Sequence, residues 1–273
     1  LLYIHERRFF SYTITLLKKE GMIKMKTNEH DYYSDLANWS FEDIDYTSEV
    51  FTNWVYEEEI KKHVNENSRV LDLGTAAGEK VLKNFPDCAE ILGTDFSSEM
   101  IETANKNLLK SGRKNILFKV MDNLKMDTPD NYFDVVTARH TIINPVQIYK
   151  TLKDNGQLIL RGVDKLDCWA LKRLFGRGQA YHDLKPISLI DYESIIDAGF
   201  KDVELIPLHV IEYYKTKALL QKTPILDDFS EEVNQEYERK PIERDLFEQY
   251  VKENSTSKGI KLVRRYYGII AKK

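Results

Sequence analysis

Cysteine is scarce in this chain: Cys88 and Cys168 are the only two among 273 residues, and they lie far apart. A disulfide-stabilised secreted domain needs several cysteines, and a thiolate metal site needs them in close pairs. The sequence therefore predicts no disulfide framework and no metal site. A reducing cytoplasm is the simplest compartment.

Long apolar runs are also missing. No stretch of about 18 apolar residues occurs, so we expect no membrane span. The first residues lack an initiator methionine and the layout of a signal peptide. Lys19-Glu20-Gly21 directly precedes Met22 and Met25. These three residues are what a purine-rich ribosome-binding sequence of a bacterial-like gene would encode if it were translated. We expect residues 1–24 to be an over-called extension; the alternative is an ordinary N-terminal helix.

Positive charge is not in excess. The 40 Lys and Arg residues face 44 Asp and Glu residues, which gives a net charge of −4 at pH 7. Nucleic-acid binding usually needs a basic face, so it is disfavoured, although a local basic patch is left open. The candidate patch, Arg264-Arg265 before Tyr266-Tyr267, would put charges on both faces of a strand. That pattern indicates an exposed strand end.

An apolar segment that stops at a glycine loop is the most informative feature present. Val70, Leu71 and Leu73 form a short apolar run, and the small residues 74–78 follow it. Helix-forming residues begin directly afterwards. This order predicts a buried strand, a loop whose backbone can approach a ligand, and a helix N-terminus that attracts anionic groups. It indicates a nucleotide-like cofactor.

Strand and helix signals alternate along the rest of the chain. The predicted strands are 69–74, 90–95, 115–121, 132–138, 157–163, 202–213 and 260–271, and the predicted helices are 48–65, 78–86, 99–111, 145–153, 168–175 and 191–198. Ser48 and Ser98 are candidate N-caps, and Asn144 with Pro145 marks a further helix start. This alternation predicts an α/β, doubly wound, mostly parallel sheet of seven strands with helices on both faces.

The same rhythm divides the chain. Residues 25–66 are expected to form an aromatic N-terminal helical cap and residues 67–213 the cofactor-binding core. Residues 214–258 are expected to form a helical insertion or lid, and residues 259–273 the final core strand. A shorter irregular segment, 164–190, follows the fifth predicted strand.

Four blocks of residues, with a later turn, occur in an order typical of one family. Residues 72–78 resemble a D-x-G-x-G-x-G loop, and Asp95 ends the second strand. Met121-Asp122-Asn123 follows the third strand, Phe133-Asp134 opens the fourth, and residues 152–156 resemble a leucine-x-proline-glycine-glycine turn. Together they resemble the class I S-adenosylmethionine-dependent methyltransferases, of the type that acts on small molecules. The resemblance implies an antiparallel last strand.

The dinucleotide pattern G-x-G-x-x-G fails in this loop. Counted from Gly74, its next two glycines fall on Ala76 and Glu79. Ala76 also departs from the family, which most often has glycine there. A Cβ at this position costs little if φ is negative, but it narrows the approach to the methionine part of the cofactor.

The resemblance implies S-adenosylmethionine as cofactor and S-adenosylhomocysteine as product. Asp95 would accept hydrogen bonds from the ribose diol, or else cap a helix. Asp122 would accept from the adenine amino group, or else be solvated, and the Asn123 amide would donate to the ring. Asp72 would order the loop through backbone amides, whereas Phe96 and Met100 would pack on adenine or belong to the core. The predicted cofactor-binding residues are Asp72, Gly74, Thr75, Ala76, Gly78, Asp95, Phe96, Met100, Asp122, Asn123 and Arg139.

His140 is the candidate catalytic residue. Methyl transfer from a sulfonium is an in-line displacement with a neutral leaving group, and positioning alone can contribute about 7–11 kcal/mol. A general base typically adds a factor of about 10²–10⁴, so the reaction does not require one. Related small-molecule methyltransferases often carry an Arg-His pair where Arg139-His140 stands. The alternative is a structural histidine bonded to a loop carbonyl.

The irregular segments are expected to shape the substrate site. Tyr33, Trp39 and Trp169 would provide apolar walls, while Arg173, Arg177 and His182 would provide a polar or anion-binding side. The alternative is that the aromatic residues pack the first helix onto the sheet and that the charges are solvated. An anionic small molecule is the favoured acceptor.

These observations predict a methyltransferase that acts on a small metabolite, as a monomer or homodimer and without a membrane partner. An rRNA or tRNA methyltransferase is the alternative within the same fold. A regulatory module that binds the cofactor without catalysis is the alternative from another functional class. Turnover separates the enzyme from the module.

Overall fold

A computed structural model describes residues 45–221 and 244–273 of the chain. The strands are β1 (Tyr46–Val50), β2 (Arg69–Leu73), β3 (Glu90–Asp95), β4 (Ile116–Val120), β5 (Phe133–Arg139), β6 (Leu152–Val163), β7 (Lys201–Tyr214), β8 (Ser255–Thr256) and β9 (Gly259–Lys272). The helices are α1 (Tyr56–His63), α2 (Glu79–Asn84), α3 (Ser98–Ser111), α4 (Pro145–Thr151), α5 (Trp169–Phe175), α6 (Ile187–Asp197), α7 (Lys217–Gln221) and α8 (Arg244–Asn254). Within these ranges, none of the helices has both the length and the apolar composition of a membrane span.

The strands form one mixed sheet in the order β1-β7-β9-β6-β5-β2-β3-β4, with β8 paired to β9. The four pairs from β6 to β4 are parallel, whereas β9 runs antiparallel to both β6 and β7. The predicted doubly wound sheet with an antiparallel last strand is therefore confirmed. The described residues add β1 and β8 to the seven predicted strands.

The predicted helix at 48–65 is wrong in its first part. Residues 46–50 are a strand that pairs antiparallel with β7, and the helix begins only at Tyr56. Ser48 is therefore not an N-cap. Its neighbours Thr47, Val50 and Phe51 have side chains that favour strands, and pairing with the edge of β7 satisfies their main chain.

Two other helix starts were predicted from capping residues. The cap of α3 is Ser97 rather than Ser98, because the Ser97 hydroxyl accepts a hydrogen bond from the Met100 amide at 3.2 Å. The Asn144 cap of α4 is confirmed, since its side chain accepts from the Gln147 amide.

Alternating side chains divide the core between the two faces of the sheet. Leu71 and Val136 belong to the face covered by α4 and α6, whereas their neighbours Val70 and Val135 belong to the face covered by α1, α2 and α3. This is the period of two that a strand buried on both sides requires. A third apolar cluster joins α5, α7 and α8 to the ends of β7 and β9. The role of residues 214–258 as a lid stays a prediction.

Arg264 is buried, which contradicts the prediction of an exposed strand end. Its side chain is 6% exposed and donates to both carboxylate oxygens of Asp167, at 2.9 and 3.0 Å. Its remaining nitrogen lies 3.4 Å from one carboxylate oxygen of Glu212. The other oxygen of Glu212 accepts from the Tyr214 hydroxyl at 2.7 Å. The third apolar cluster covers this face of β9, so the charges are removed from water and paired with each other.

Candidate functional site

Three neighbouring parallel strands end at one edge of the sheet. Leu73 lies opposite Thr94, and Asp95 lies opposite Val120, so the glycine loop and the loops after β3 and β4 meet there. The amides of Gly74 and Thr75 both donate to the Thr94 carbonyl at 2.8 Å, which ties the loop to β3. The carboxyl edge of such a sheet is where ligands of open α/β folds bind.

The two glycines of the loop cannot be replaced without strain. Gly74 has a φ of +72°, and a Cβ added there would lie 2.6 Å from Cβ of Thr141. Gly78 has a φ of +79°, and its added Cβ would lie 2.7 Å from the Phe118 ring. The backbone of the loop therefore lies close to the sheet and to the loop that follows β5.

Ala76 adopts a left-handed conformation. Its φ is +48°, so the condition under which its Cβ would cost little is not met. Ala76→Gly is expected to raise the free energy of unfolding by about 1 kcal/mol, because glycine adopts this φ without strain. Urea denaturation measures the change.

The matched control for that substitution is Ala77→Gly. Ala77 is not among the residues with positive φ, so we expect this change to lower stability by about 0.5–1 kcal/mol. Equal destabilisation by both variants would contradict the strain at Ala76.

Asp95 holds the glycine loop against the start of α3. Its carboxylate accepts from the Ala76 amide and from the Ser97 amide, both at 3.0 Å. Burial raises the pKa of this carboxyl, which is 8% exposed. Asp95 thus has a local structural role of the kind expected of a helix-capping residue, and its contact with a ribose diol stays a prediction.

Asp72 is buried below the loop. Burial raises its pKa from 3.8 to about 6, and its carboxylate accepts from the Thr137 hydroxyl at 2.6 Å. Among the described residues, this carboxylate has no bond to a backbone amide of the loop. Tyr56 on α1 is 4% exposed. Burial raises the pKa of its hydroxyl, and the nearby charge of Asp72 raises it further.

The loop after β4 is fixed by its own side chains. Asp122 accepts from the Leu124 amide at 2.9 Å, and the Asn123 side chain donates to the Thr141 hydroxyl at 3.0 Å. Asn123 thereby joins this loop to the one after β5. Phe96, beside Asp95, is 42% exposed and offers apolar surface at the same edge. The adenine contacts of Asp122, Asn123, Phe96 and Met100 stay predictions.

Arg139, His140 and Arg161 lie at the ends of β5 and β6. The two arginines are register partners on adjacent strands, and the Arg161 guanidinium contacts Nε2 of His140. The His140 ring stacks on Tyr266 at 5.6 Å between centroids. Desolvation of the ring and the charges of Arg161, Arg139 and Arg264 hold the pKa of His140 well below 6.5. The imidazole is therefore neutral at pH 7, with its Nε2 lone pair facing Arg161.

The predicted substrate residues that the structure describes all lie in the segment after β6. Trp169 packs near Tyr181 at 5.5 Å, and Tyr181 contacts the exposed His182 at 4.9 Å. Arg173 is exposed on α5, and Arg177 lies over the Phe175 ring at 5.5 Å. Tyr33 and Trp39 lie outside the described residues, as do residues 1–24.

A cavity of about 220 Å³ lies at the end of β5 and beside β6, and its polar lining includes residues that the sequence reasoning did not select: Trp54, Tyr56, Arg161, His209 and Tyr266. Two sequence signals were available. Trp54 and Tyr56 belong to the aromatic segment before β2, and Arg161 interrupts the apolar run of β6.

Comparison with known proteins agrees with this geometry. A family model described as a methyltransferase domain matches residues 64–188. An uncharacterized methyltransferase, YcgJ of Bacillus subtilis, is 29% identical over 91 residues, which are 33% of this chain and 36% of that protein. The phosphoethanolamine N-methyltransferase of Plasmodium falciparum is 32% identical over 107 residues, covering 36% of this chain and 40% of that protein. The similarity thus spans well under half of either relative.

Solved structures share the fold at low sequence identity. The crystal structure of YcgJ has a TM-score of 0.54 and 19% identity, and the match covers 80% of this chain and 97% of that one. A functionally unknown protein from Deinococcus radiodurans has a TM-score of 0.58 and 13% identity over 88% of this chain and 98% of that one. The strand order, the glycine loop and the matched domain lead to one conclusion. Residues 64–188 of this chain match a methyltransferase domain, and the sheet has the fold of the class I S-adenosylmethionine-dependent methyltransferases.

Proposed function

We propose that this protein transfers a methyl group from S-adenosylmethionine to a small-molecule acceptor and releases S-adenosylhomocysteine. The observation that carries the proposal is the meeting of the glycine loop, Asp95 and Asp122 at one sheet edge. A phosphoethanolamine N-methyltransferase and a ubiquinone/menaquinone C-methyltransferase among the relatives support a small acceptor.

The residues at the edge suit the three parts of the cofactor. The backbone of the glycine loop would hold the methionine part, and Asp95 offers a carboxylate to the ribose. Asp122 and Asn123 would hold the adenine, with Phe96 against its face. When bound, the cofactor supplies an electrophilic methyl on a sulfonium, and the protein's part is to orient the acceptor and exclude water.

Two measurements test the proposal. Calorimetric titration with S-adenosylhomocysteine is expected to give saturable binding, and its absence would refute the cofactor. Release of S-adenosylhomocysteine is then followed with a panel of small amines, phenols and carboxylic or phosphoric acids. Binding without turnover on any compound would favour a regulatory module. Turnover on RNA, with binding that falls steeply with salt, would favour the RNA-modifying alternative.

His140→Ala is expected to lower kcat by about 10²-fold, because a neutral imidazole can take a proton from the acceptor once the acceptor displaces Arg161 from its Nε2. The affinity for S-adenosylhomocysteine should not change. His63→Ala is the control, since His63 pairs with Glu59 on α1 and is remote from this edge. Unchanged turnover in His140→Ala would leave His140 a structural residue that holds Arg161.

A further inference from the structure

The walls of the cavity at the end of β5 come from several strands and from the segment before α1. It lies where Arg139 of β5, Arg161 of β6, Tyr266 of β9 and His209 of β7 face the segment that joins β1 to α1. Trp54, in that segment, lies on a glycine of β9: a Cβ added at Gly268 would be 2.8 Å from the indole. The indole is therefore held by close packing rather than by its own hydrogen bond.

Four polar atoms of the lining residues are buried and have no hydrogen-bond partner among the described residues. They are Trp54 Nε1, Tyr56 Oη, Arg139 Nε and His209 Nε2. A buried polar group without a partner costs about 1–3 kcal/mol. Indole and guanidinium nitrogens only donate, so at least two of the four need an acceptor. A ligand that brings several acceptor oxygens would satisfy them together.

Positive charge is concentrated at the same place. Arg139 and Arg161 are opposite each other on adjacent strands, and like charges in that relation repel. Within residues 45–221 and 244–273, neither guanidinium has a carboxylate within 4.0 Å. Burial lowers the pKa of Arg161, and the neighbouring charge of Arg139 adds to this. Glu57 is the one carboxylate of the described lining, and its charge opposes that shift.

The guanidinium of Arg161 is also held in place. Its central carbon lies 4.2 Å from the centroid of the Tyr266 ring. In this arrangement the N–H groups along the edge of the guanidinium can still donate hydrogen bonds. Carboxylate and phosphate groups accept two parallel hydrogen bonds from such an edge.

We propose that this cavity binds an anionic group, a carboxylate or a phosphate, of the methyl acceptor, with Arg161 and Arg139 as its cationic partners; this rests on the proposed function. Trp54 and Tyr56 donate to the same group. In this proposal, Arg161 and Arg139 bind the anion, in place of Arg173 and Arg177, which were predicted from the sequence. It places the acceptor beside His140, whose ring stacks on the same Tyr266.

Inorganic phosphate is the probe, titrated calorimetrically into the full chain without cofactor. We expect wild type to bind it and Arg161→Gln to bind it at least 10-fold more weakly. The matched control is Arg69→Gln: Arg69 lies over the Tyr132 ring at 4.4 Å, at the start of β2 and far from the cavity. It should bind phosphate as wild type does. Arg161→Lys keeps the charge without the planar edge and should bind with intermediate affinity.

Thermal unfolding of each variant shows whether it is folded. If Arg161→Gln is unstable, Trp54→Phe removes one donor and is expected to weaken phosphate binding several-fold. Equal phosphate binding in wild type and Arg161→Gln would overturn the site. So would an equal rise of Tm with phosphate in every variant, which is the effect of a solute excluded from the surface.

S-adenosylhomocysteine distinguishes the occupant. We expect it to bind wild type and Arg161→Gln equally and without competition from phosphate. Competition, together with loss of its affinity in Arg161→Gln, would assign the cavity to the cofactor's own carboxylate and overturn the proposal. Phosphate binding that depends on Arg161, with no binding of S-adenosylhomocysteine at all, would refute the proposed function and leave the anion site standing.

Discussion

Arg264→Met is expected to lower the free energy of unfolding by about 3–5 kcal/mol, because it leaves two buried carboxylates without their cation. Asp167 and Glu212 are 5% and 6% exposed, and both contact the Arg264 guanidinium. Burial raises the pKa of Glu212, and the charge of Arg264 lowers it. Denaturation in urea, followed by circular dichroism, measures the loss.

Arg265→Met is the control for this change. Arg265 is the next residue on β9, is only partly buried, and bonds to Asp167 through its backbone amide at 2.7 Å. That bond survives the substitution, so we expect a loss below about 1 kcal/mol. If both variants lose the same small amount, the buried cluster is not a stabilising element.

Asp95→Asn is expected to weaken binding of S-adenosylhomocysteine by about 10- to 150-fold, the equivalent of about 1.5–3 kcal/mol for hydrogen bonds to a charged group. The asparagine oxygen can replace only one of the two acceptors that the Ala76 and Ser97 amides use, so we expect the variant to fold with some loss of stability. Calorimetric titration measures the affinity, and thermal unfolding reports on the fold.

Asp127→Asn provides the comparison for Asp95. Asp127 lies after β4 and its side chain is 92% exposed, where it pairs with Lys119. We expect the Asp127→Asn variant to bind S-adenosylhomocysteine with the affinity of wild type. A folded Asp95→Asn variant that binds as tightly as wild type would show that Asp95 is a helix-capping residue and nothing more.

The parallel half of the sheet could be predicted because its signals are local. β2 is a short apolar run that ends in a glycine loop, Asp95 is the last residue of β3, and Asp122 lies just after β4. Neighbouring parallel strands end at one edge, so local signals were sufficient to bring these residues together.

The other half depends on contacts that are distant in sequence. Arg264 is buried because Asp167 lies 97 residues earlier and Glu212 lies 52 residues earlier, and no local pattern encodes either pairing. β1 was taken for helix because five residues are too few to show a period, and its partner β7 comes 164 residues later. The pair of Arg139 and Arg161 likewise exists only once β5 and β6 are in register.

The pairing of β1 with β7 also bears on solubility. β1 covers the main-chain groups of residues 210–214, which would otherwise form the open edge of a nine-stranded sheet. An uncovered strand edge recruits strands from other molecules and is a common start of aggregation. A fragment that begins after Val50 would therefore retain the methyltransferase domain and still be prone to self-association through β7. We therefore expect a chain shortened to begin after Val50 to aggregate at a lower concentration than one that keeps β1.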